Sequence, residues 1–135
     1  MSLAKFISEW SKDPSTKVGA VIVDKDNRII STGYNGFAKG VADESSRYDD
    51  RSTKYKIILH AEENAIMFAN RNLEGCSLYV TQLYPCAHCA SLIIQSGIKE
   101  VYIQKFLEIP ARWKESMEWT KRLFEEADVK LFEVD

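Results

Sequence analysis

CSLYVTQLYPCAHCASLIIQSGIKEVYI, residues 76–103, predicts a strand, a helix and a second strand in succession. The apolar run at 76–82 has the residue types of a buried strand. Residues 86–96 have the length of a helix, which Gly97 ends, and residues 98–103 return to a strand. Two strands joined in this way by a helix run parallel, and this favours an α/β fold.

The rest of the chain extends this unit on both sides. An amphipathic helix at 3–11 is predicted to bury Phe6, Ile7 and Trp10. The polar segment 37–56 is predicted to form a long loop. We therefore expect a single α/β domain over 1–135, a three-layer α-β-α sandwich whose five-stranded mixed sheet opens with a hairpin and continues parallel. The remaining predicted elements are helices at 61–70 and 114–127 and strands at 18–23, 28–32 and 128–134.

Two short motifs, His60-Ala61-Glu62 and Pro85-Cys86-Ala87-His88-Cys89, contain residue types that bind metals. His60, Cys86 and Cys89 supply three ligands of the kind that zinc prefers, which leaves a fourth position for water. The two cysteines lie one turn apart at the start of a predicted helix, whose N-terminal end favours thiolates. His60 heads a second helix, so we expect two helix N-termini to converge on the metal.

Glu62 distinguishes a catalytic zinc site from a structural one. It lies two residues from His60 and need not bind the metal, so it can act as a general acid and base. A structural site uses a fourth protein ligand, for which Cys76 and His88 are the spare candidates. Cys76 is better interpreted as a buried small apolar residue, and His88 is cramped between the two cysteines. A structural zinc and a redox-active cysteine pair remain the alternatives.

Composition and charge restrict the class of protein. The net charge of −2 and the lack of a basic block disfavour a polymeric DNA or RNA substrate. A small anionic substrate needs only a few local donors. No apolar run reaches the roughly 20 residues that cross a bilayer, and residues 1–5 do not resemble a signal peptide. These features predict a soluble, cytoplasmic protein with no membrane partner.

Together with further segments, the two motifs make the chain resemble the deoxycytidylate (dCMP) branch of the zinc-dependent cytidine and deoxycytidylate deaminase family. The metal motifs are typical of the whole superfamily. Gly33-Tyr34-Asn35-Gly36 and the polar insert 37–56 point to the dCMP branch. The resemblance implies a cytidine-deaminase-like fold and the hydrolysis of dCMP to dUMP and ammonia. Other matching segments lie at 11–14, 18–23, 54–55, 64–67 and 95–101.

The same resemblance implies the composition of the catalytic centre. His60, Cys86 and Cys89 would hold a catalytic Zn²⁺, which lowers the pKa of a water molecule to about 7. Glu62 would take the proton of that water and deliver it to N3 of the cytosine. After attack at C4, the amino group would be protonated and leave as ammonia.

The resemblance also assigns ligands to the substrate. The Ala61 N–H would bind the carbonyl of the base, and the carbonyl at or before Pro85 would accept from the exocyclic amine. Asn35 would bind the sugar, although a plain turn residue is the alternative. Ser15 and Lys12 are the candidates for the phosphate.

Regulation and assembly follow from the resemblance as well. Members of the dCMP branch are commonly hexamers, activated by dCTP with Mg²⁺ and inhibited by dTTP. The effector would bind between subunits near Gly33, Tyr34, Asn35 and Gly36. Flanking glycines would let the loop backbone approach a triphosphate and move, and a Gly-bounded turn without this role is the alternative.

Two departures from the family pattern and two rival functions stay open. Glu63 stands where an apolar residue is usual, and we expect it on the far side of its helix. The insert 37–56 holds no set of Cys and His, so no second structural zinc is expected. The rivals are a superfamily enzyme acting on free cytidine, tRNA adenosine, a pterin or a purine, and a nucleotide-binding regulator without activity. An intact Glu62 argues against the regulator.

Overall fold

The computed structural model describes residues 1–82 and 84–135. The predicted helices and strands are present, with ends shifted by a few residues. The strands are β1 (Gly19–Val23), β2 (Ile29–Tyr34), β3 (Ser77–Val80), β4 (Glu100–Gln104) and β5 (Lys130–Val134). The helices are α1 (Ser2–Ser8), α2 (Ser45–Asp49), α3 (Arg51–Ile57), α4 (Ala61–Ala69), α5 (Ala87–Ser96) and α6 (Lys114–Glu126), with a 3₁₀ turn at Ala111–Trp113.

The five strands form one mixed sheet in the order β2-β1-β3-β4-β5. β1 pairs antiparallel with both β2 and β3, whereas β3, β4 and β5 run parallel. The α/β prediction of a five-stranded mixed sheet that opens with a hairpin is confirmed. Parallel strands place their carboxyl ends at one edge of the sheet, and the helices that follow them begin there.

Helices cover both faces of the sheet. On one face, apolar side chains of β1, β3 and β4 pack with α4, α5 and α6 into the main core, which includes Ile22, Leu78 and Phe124. On the other face, Ala4 of α1 packs on Val21 and Val23. The result is the expected three-layer sandwich. Among the described residues, no helix has both the length and the apolar character that crossing a bilayer requires.

The prediction that α1 buries Phe6 and Trp10 is wrong. Ile7 is buried, but Phe6 is 61% exposed and Trp10 is 54% exposed. The buried face of the helix consists of Ala4, Ile7 and Ser8. The helix approaches β1 closely, since a Cβ on Gly19 would lie only 2.7 Å from the backbone nitrogen of Ser8. This close approach turns the two aromatic rings outward, where Trp10 packs edge-on against Tyr34.

The segment 37–56 also differs from the prediction, because much of it is helical. α2 and α3 follow one another closely, and the side chain of Asp50 caps α3 by accepting from the N–H of Ser52. Tyr48 is buried and stacks on Phe37, with 4.2 Å between ring centroids. The insert is therefore folded against the body of the domain.

Candidate active site

The two metal motifs lie at the starts of neighbouring helices. His60 is the N-cap residue of α4 and Cys86 is the N-cap residue of α5. The chain before His60 is fixed by two backbone hydrogen bonds between Gly36 and Leu59, at 2.8 and 3.1 Å. α5 ends at Gly97, which has the left-handed φ of +91° that favours glycine. The predicted convergence of two helix N-termini is present.

His60, Cys86 and Cys89 are brought together in the geometry of a metal site. Their ligand atoms lie within 4.8 Å of one another. His60 Nδ1 is 3.3 Å from Cys89 Sγ and 3.6 Å from Cys86 Sγ. Tetrahedral zinc, with bonds of about 2.1 Å to nitrogen and about 2.3 Å to sulfur, separates such ligands by about 3.6 Å. The donor set and its spacing therefore fit Zn²⁺.

Glu62 lies beside the three ligands without joining them. Its side chain is buried, and its Oε2 is 3.9 Å from Cys89 Sγ. Burial raises the pKa of Glu62 to about 7, although the nearby His60 opposes the shift. A carboxyl group with this pKa exchanges protons readily near neutral pH, which is the property that a general acid and base needs.

The thiols and the imidazole also depart from their ordinary pKa values. Hydrogen bonding with Cys89 lowers the pKa of Cys86 to about 4, whereas the same contact and burial raise the pKa of Cys89. Hydrogen bonding with Cys86 raises the pKa of His60 to about 9. The two shifts have opposite directions, and a cation that binds both sulfurs favours the thiolate form of each cysteine.

His88 and Cys76, the spare ligand candidates, lie away from this group. His88 is exposed between the two cysteine ligands. Cys76 is buried in the main core, as its interpretation as a small apolar residue predicts. Within the described part of the chain, the group of residues that could hold a metal consists of one histidine and two cysteines.

The expectation for Glu63 is wrong. Its Oε1 accepts a hydrogen bond of 2.9 Å from the backbone N–H of His60, so the side chain reaches back over the start of α4. This contact satisfies a backbone donor that has no partner inside the helix. Glu63 thus holds the backbone of a candidate metal ligand.

A buried polar network fixes the loop between α1 and β1. The side chain of Asn35 accepts from the N–H of Val18 at 2.8 Å and donates to the carbonyl of Thr16 at 2.9 Å. It also donates to Asp13 Oδ2 at 3.3 Å. The same carboxylate oxygen pairs with Lys54 of α3 at 2.7 Å. All the amide groups of Asn35 are engaged, so the structure shows it holding this loop, and its role as a sugar ligand stays a prediction.

The two phosphate candidates lie at the surface. Lys12 Nζ is 3.1 Å from Asp43 Oδ2, and their side chains are 71% and 36% exposed. The backbone N–H of Ser15 donates to Asp13 Oδ1, which leaves its exposed hydroxyl free of protein contacts among the described residues. An exposed ion pair contributes little to stability, so an anion can displace Asp43 from Lys12 at small cost.

The carbonyl of Pro85 is occupied by another part of the chain. Thr120 of α6 donates its hydroxyl to this oxygen at 2.7 Å, and both residues are fully buried. Of the two carbonyls considered for the exocyclic amine, the geometry therefore favours that of Tyr84, the residue before Pro85. Ala61 is buried in the first turn of α4, and its predicted contact with the base stays a prediction.

The segment 33–36 is more constrained than a mobile loop. A Cβ on Gly33 would lie 2.5 Å from the backbone nitrogen of Ala65, so this glycine serves the packing of α4 on β2. Gly36 is held by its bridge to Leu59. Tyr34 is 40% exposed and its carbonyl accepts from Asn64 at 2.8 Å. An effector role for these residues stays a prediction.

Several residues that shape the site carry no strong signal in the sequence. Asp13 has the sequence context of a helix-terminating Asp-Pro, and Lys54 is one of many surface-type lysines. Thr120 has a polar side chain within an amphipathic helix. Glu63 stands at the third position of its helix, but His60 occupies the N-cap where the usual capping pattern has Ser, Thr, Asp or Asn.

Both metal motifs lie in the part of the chain that matches a known protein family. A model of the family described as "Cytidine and deoxycytidylate deaminase zinc-binding region" matches residues 1–105. A deaminase of the luxG 3' region of Aliivibrio fischeri is 49% identical over 130 residues, 96% of this chain and 86% of that protein. The deoxycytidylate deaminase of Mus musculus is 47% identical over 107 residues, 75% of this chain. The aligned part spans only 60% of the mouse protein.

Solved structures agree on the fold. The dCMP deaminase of the cyanophage S-TIM5, solved in complex with dCMP and dUMP, superposes with a TM-score of 0.74 at 24% identity and covers 98% of this chain and 92% of its own. A Thermotoga maritima protein with diaminohydroxyphosphoribosylaminopyrimidine deaminase and reductase parts superposes with a TM-score of 0.68 at 29% identity. It covers 98% of this chain and 34% of its own. Since the family match includes both metal motifs, this chain belongs to the cytidine and deoxycytidylate deaminase family.

Proposed function

We propose that this protein hydrolyses dCMP to dUMP and ammonia in a zinc-dependent reaction. The observation that supports this most directly is the convergence of His60, Cys86 and Cys89 with a buried carboxylate, Glu62, that lies outside the ligand set. Relatives that are 46–49% identical over most of this chain carry the name deoxycytidylate deaminase. A site of this composition suits hydrolysis rather than structural metal binding, because one position on the metal is left for water.

Zinc is proposed to be held by His60 Nδ1, Cys86 Sγ and Cys89 Sγ. Bound there, it supplies Lewis-acid activation of a water molecule. Two thiolates and a neutral imidazole balance the charge of the cation, and the two helix N-termini stabilise negative charge that develops nearby.

Glu62 is proposed to carry the proton through the reaction. Its carboxylate accepts a proton from the attacking water and delivers it to N3 of the ring as oxygen bonds to C4. The carbon becomes tetrahedral and carries a hydroxyl group. Glu62 passes the proton of that hydroxyl to the amino group, and the C4–N bond breaks as the C4 carbonyl forms, which releases ammonia. Because the side chain is buried, the proton that it carries is shielded from exchange with bulk water.

The remaining groups are proposed to orient the nucleotide. The Ala61 N–H binds the carbonyl of the base, and the carbonyl of Tyr84 accepts from the exocyclic amine. Asn35 is proposed for the sugar, because its amide oxygen accepts one hydrogen bond from the described residues and has a second lone pair. Lys12 and Ser15 are proposed for the phosphate, since both lie exposed on that loop.

Ammonia release from a panel of substrates tests this proposal. Purified protein is assayed with dCMP, deoxycytidine, cytidine, dCTP and an adenosine-containing tRNA, before and after chelation of the metal. We expect turnover of dCMP, its loss on chelation and its recovery with Zn²⁺. Preferred turnover of another member of the panel would replace dCMP with that substrate class.

Point variants separate the metal from the proton carrier. Glu62→Ala is expected to retain zinc and to lose roughly 10²–10⁴-fold or more in kcat. His60→Ala and Cys86→Ala are expected to lose the metal as well. Turnover by Glu62→Ala at the wild-type rate would contradict the mechanism.

Assembly is proposed to be a homo-oligomer, as large as a hexamer. It is supported by large apolar side chains that the chain leaves exposed on and just after α1, at the end of β2 and on α4. We propose that a second copy of this chain covers these side chains, because exposed apolar patches usually mark contacts with another molecule. The exposed residues of this set are Leu3, Phe6, Trp10, Tyr34, Met67 and Phe68.

Effector control is proposed for the segment 33–36. dCTP with Mg²⁺ is expected to activate and dTTP to inhibit, by shifting the equilibrium between two states of the assembly. Rates measured against dCMP concentration are expected to be sigmoidal alone and hyperbolic with dCTP. A monomer with hyperbolic kinetics that neither triphosphate changes would refute the proposed regulation. It would not contradict the proposed deamination.

A further inference from the structure

Two hydroxyl groups of α6 hold the turn that carries Cys86. Thr120 Oγ1 donates to the carbonyl of Pro85 at 2.7 Å, and Ser116 Oγ accepts from the N–H of Ala87 at 3.0 Å. The two contacted residues are the neighbours of Cys86 on either side. α6 lies outside residues 1–105, the range of the family match, so that match assigns no role to it.

The two hydroxyls are arranged to act together. Ser116 and Thr120 are four residues apart on α6, so both project from one face of the helix. The Ala87 N–H is among the first donors of α5, which have no partner inside their own helix. The Pro85 carbonyl is buried, and loss of its partner would leave it unsatisfied.

The position of both sulfurs depends on this turn. Cys86 Sγ accepts from the N–H of Cys89 at 3.4 Å, so the first turn of α5 sets the two cysteines relative to each other. A rotation of the Pro85–Cys86 backbone would move Cys86 Sγ away from His60 Nδ1, to which it lies at 3.6 Å. Groups that orient metal ligands typically change metal affinity by about 10–100-fold when removed.

The hydroxyl contacts are separate from the packing that docks α6. Phe124 is buried in the main core, and Met117 and Leu123 pack against the same core. These apolar contacts dock the helix on the domain, and they involve neither hydroxyl group. The hydroxyls are thus placed to orient the turn.

We infer that Ser116 and Thr120 are positioning residues for the metal centre, acting through the backbone on either side of Cys86. This inference rests on the proposed function in one respect, that zinc binds to the three ligands. It predicts that a helix outside the matched region sets the stability and the activity of the zinc site.

Zinc release is the decisive measurement. Thr120→Val keeps the shape of the side chain and removes the hydroxyl, and Thr120→Ser retains the hydroxyl. As a control, Thr32→Val applies the same substitution to a partly buried residue of β2 that belongs to neither metal motif. Each variant is loaded with zinc, and the rate of zinc transfer to a coloured chelator is recorded with kcat and KM for dCMP. Circular dichroism checks that each variant is folded.

We expect Thr120→Val to release zinc roughly 10-fold faster or more, with a fall in kcat and a KM within about 2-fold of wild type. Thr120→Ser should restore most of the retention, and Thr32→Val should match wild type. If Thr120→Val does not fold, Ser116→Ala carries the test, because its side chain is only partly buried and lies over the other neighbour of Cys86. Release within about 2-fold of wild type in every folded variant would overturn the inference.

The outcome separates this inference from the proposed function. If the wild-type protein binds zinc and deaminates dCMP, and the variants release zinc at the wild-type rate, only the positioning role is refuted. Wild-type protein that binds zinc without deaminating dCMP refutes the proposed substrate, while the release rates still decide the positioning role. Wild-type protein that binds no zinc refutes both.

Discussion

Lys54 and Asp13 form an ion pair that is almost closed to solvent, within the network that includes Asn35. Lys54 Nζ is 2.7 Å from Asp13 Oδ2, and the side chains are 13% and 1% exposed. Removing one partner of a buried pair costs about 3–5 kcal/mol, because the other charge is left buried. Asp13 keeps N–H donors from Ser15 and Thr16, so we expect Lys54→Met to cost about 3 kcal/mol, the lower end of that range.

Lys12→Met provides the matched control. Lys12 pairs with Asp43 at 3.1 Å, but both side chains are substantially exposed, and such pairs contribute about 0–1 kcal/mol. The free energy of unfolding is measured by urea titration with tryptophan fluorescence and circular dichroism. For a domain of this size, about 3 kcal/mol corresponds to a fall of roughly 10 °C in Tm.

The reasoning would be refuted if the free energies of unfolding of Lys54→Met and Lys12→Met differed by less than about 1 kcal/mol. This threshold is the upper limit for the contribution of an exposed ion pair. The pair would then contribute no more than a surface contact, and the network around Asp13 would have to be held by its hydrogen bonds alone. We also expect Lys54→Met to raise KM for dCMP more than it lowers kcat. The pair supports the loop proposed to bind the nucleotide, and neither residue belongs to the three candidate metal ligands.

Three further predictions concern the substrate, the surface and the packing of α4. The kcat/KM for dCMP is expected to exceed that for deoxycytidine. Lys12→Met should lower kcat/KM for dCMP alone. Equal losses of kcat/KM for both substrates would exclude a contact between Lys12 and the phosphate. Replacing Phe6 and Trp10 with Ser should reduce the mass of the assembly in light scattering, and an unchanged mass would place the contact elsewhere. Gly33→Ala should destabilise the fold by about 1–3 kcal/mol in urea titration, whereas Gly36→Ala, which meets open space, should not; equal effects would refute the packing argument.

The sequence predicted the architecture because most of its signals are local. Apolar runs, Gly97 after a helical stretch and a turn between two strands each act within a few residues. Alternating strands and helices then leave few topologies, and the observed sheet is among them. The proximity of two candidate metal ligands has the same local origin, since spacing within a helical turn places Cys86 and Cys89 on one face.

Local sequence signals did not determine which apolar side chains are exposed or where a polar side chain finds its partner. The period of α1 indicates an apolar stripe, but which part of it faces the sheet depends on how closely the helix approaches Gly19. Phe6 and Trp10 were therefore assigned to the core and lie outside it. Glu63 was assigned to the far side of its helix, because the sequence does not show that a side chain turns back to the N-terminus.

Contacts between distant segments were decided only by the tertiary structure. Asp13 meets Lys54, and Thr120 meets the carbonyl of Pro85 across 35 residues of sequence. A serine, threonine or lysine can satisfy its polar group with water anywhere on the surface, so its identity does not specify a partner. The partner is set when packing of the apolar faces brings two segments together and removes that water, leaving each buried group to find a donor or acceptor within reach.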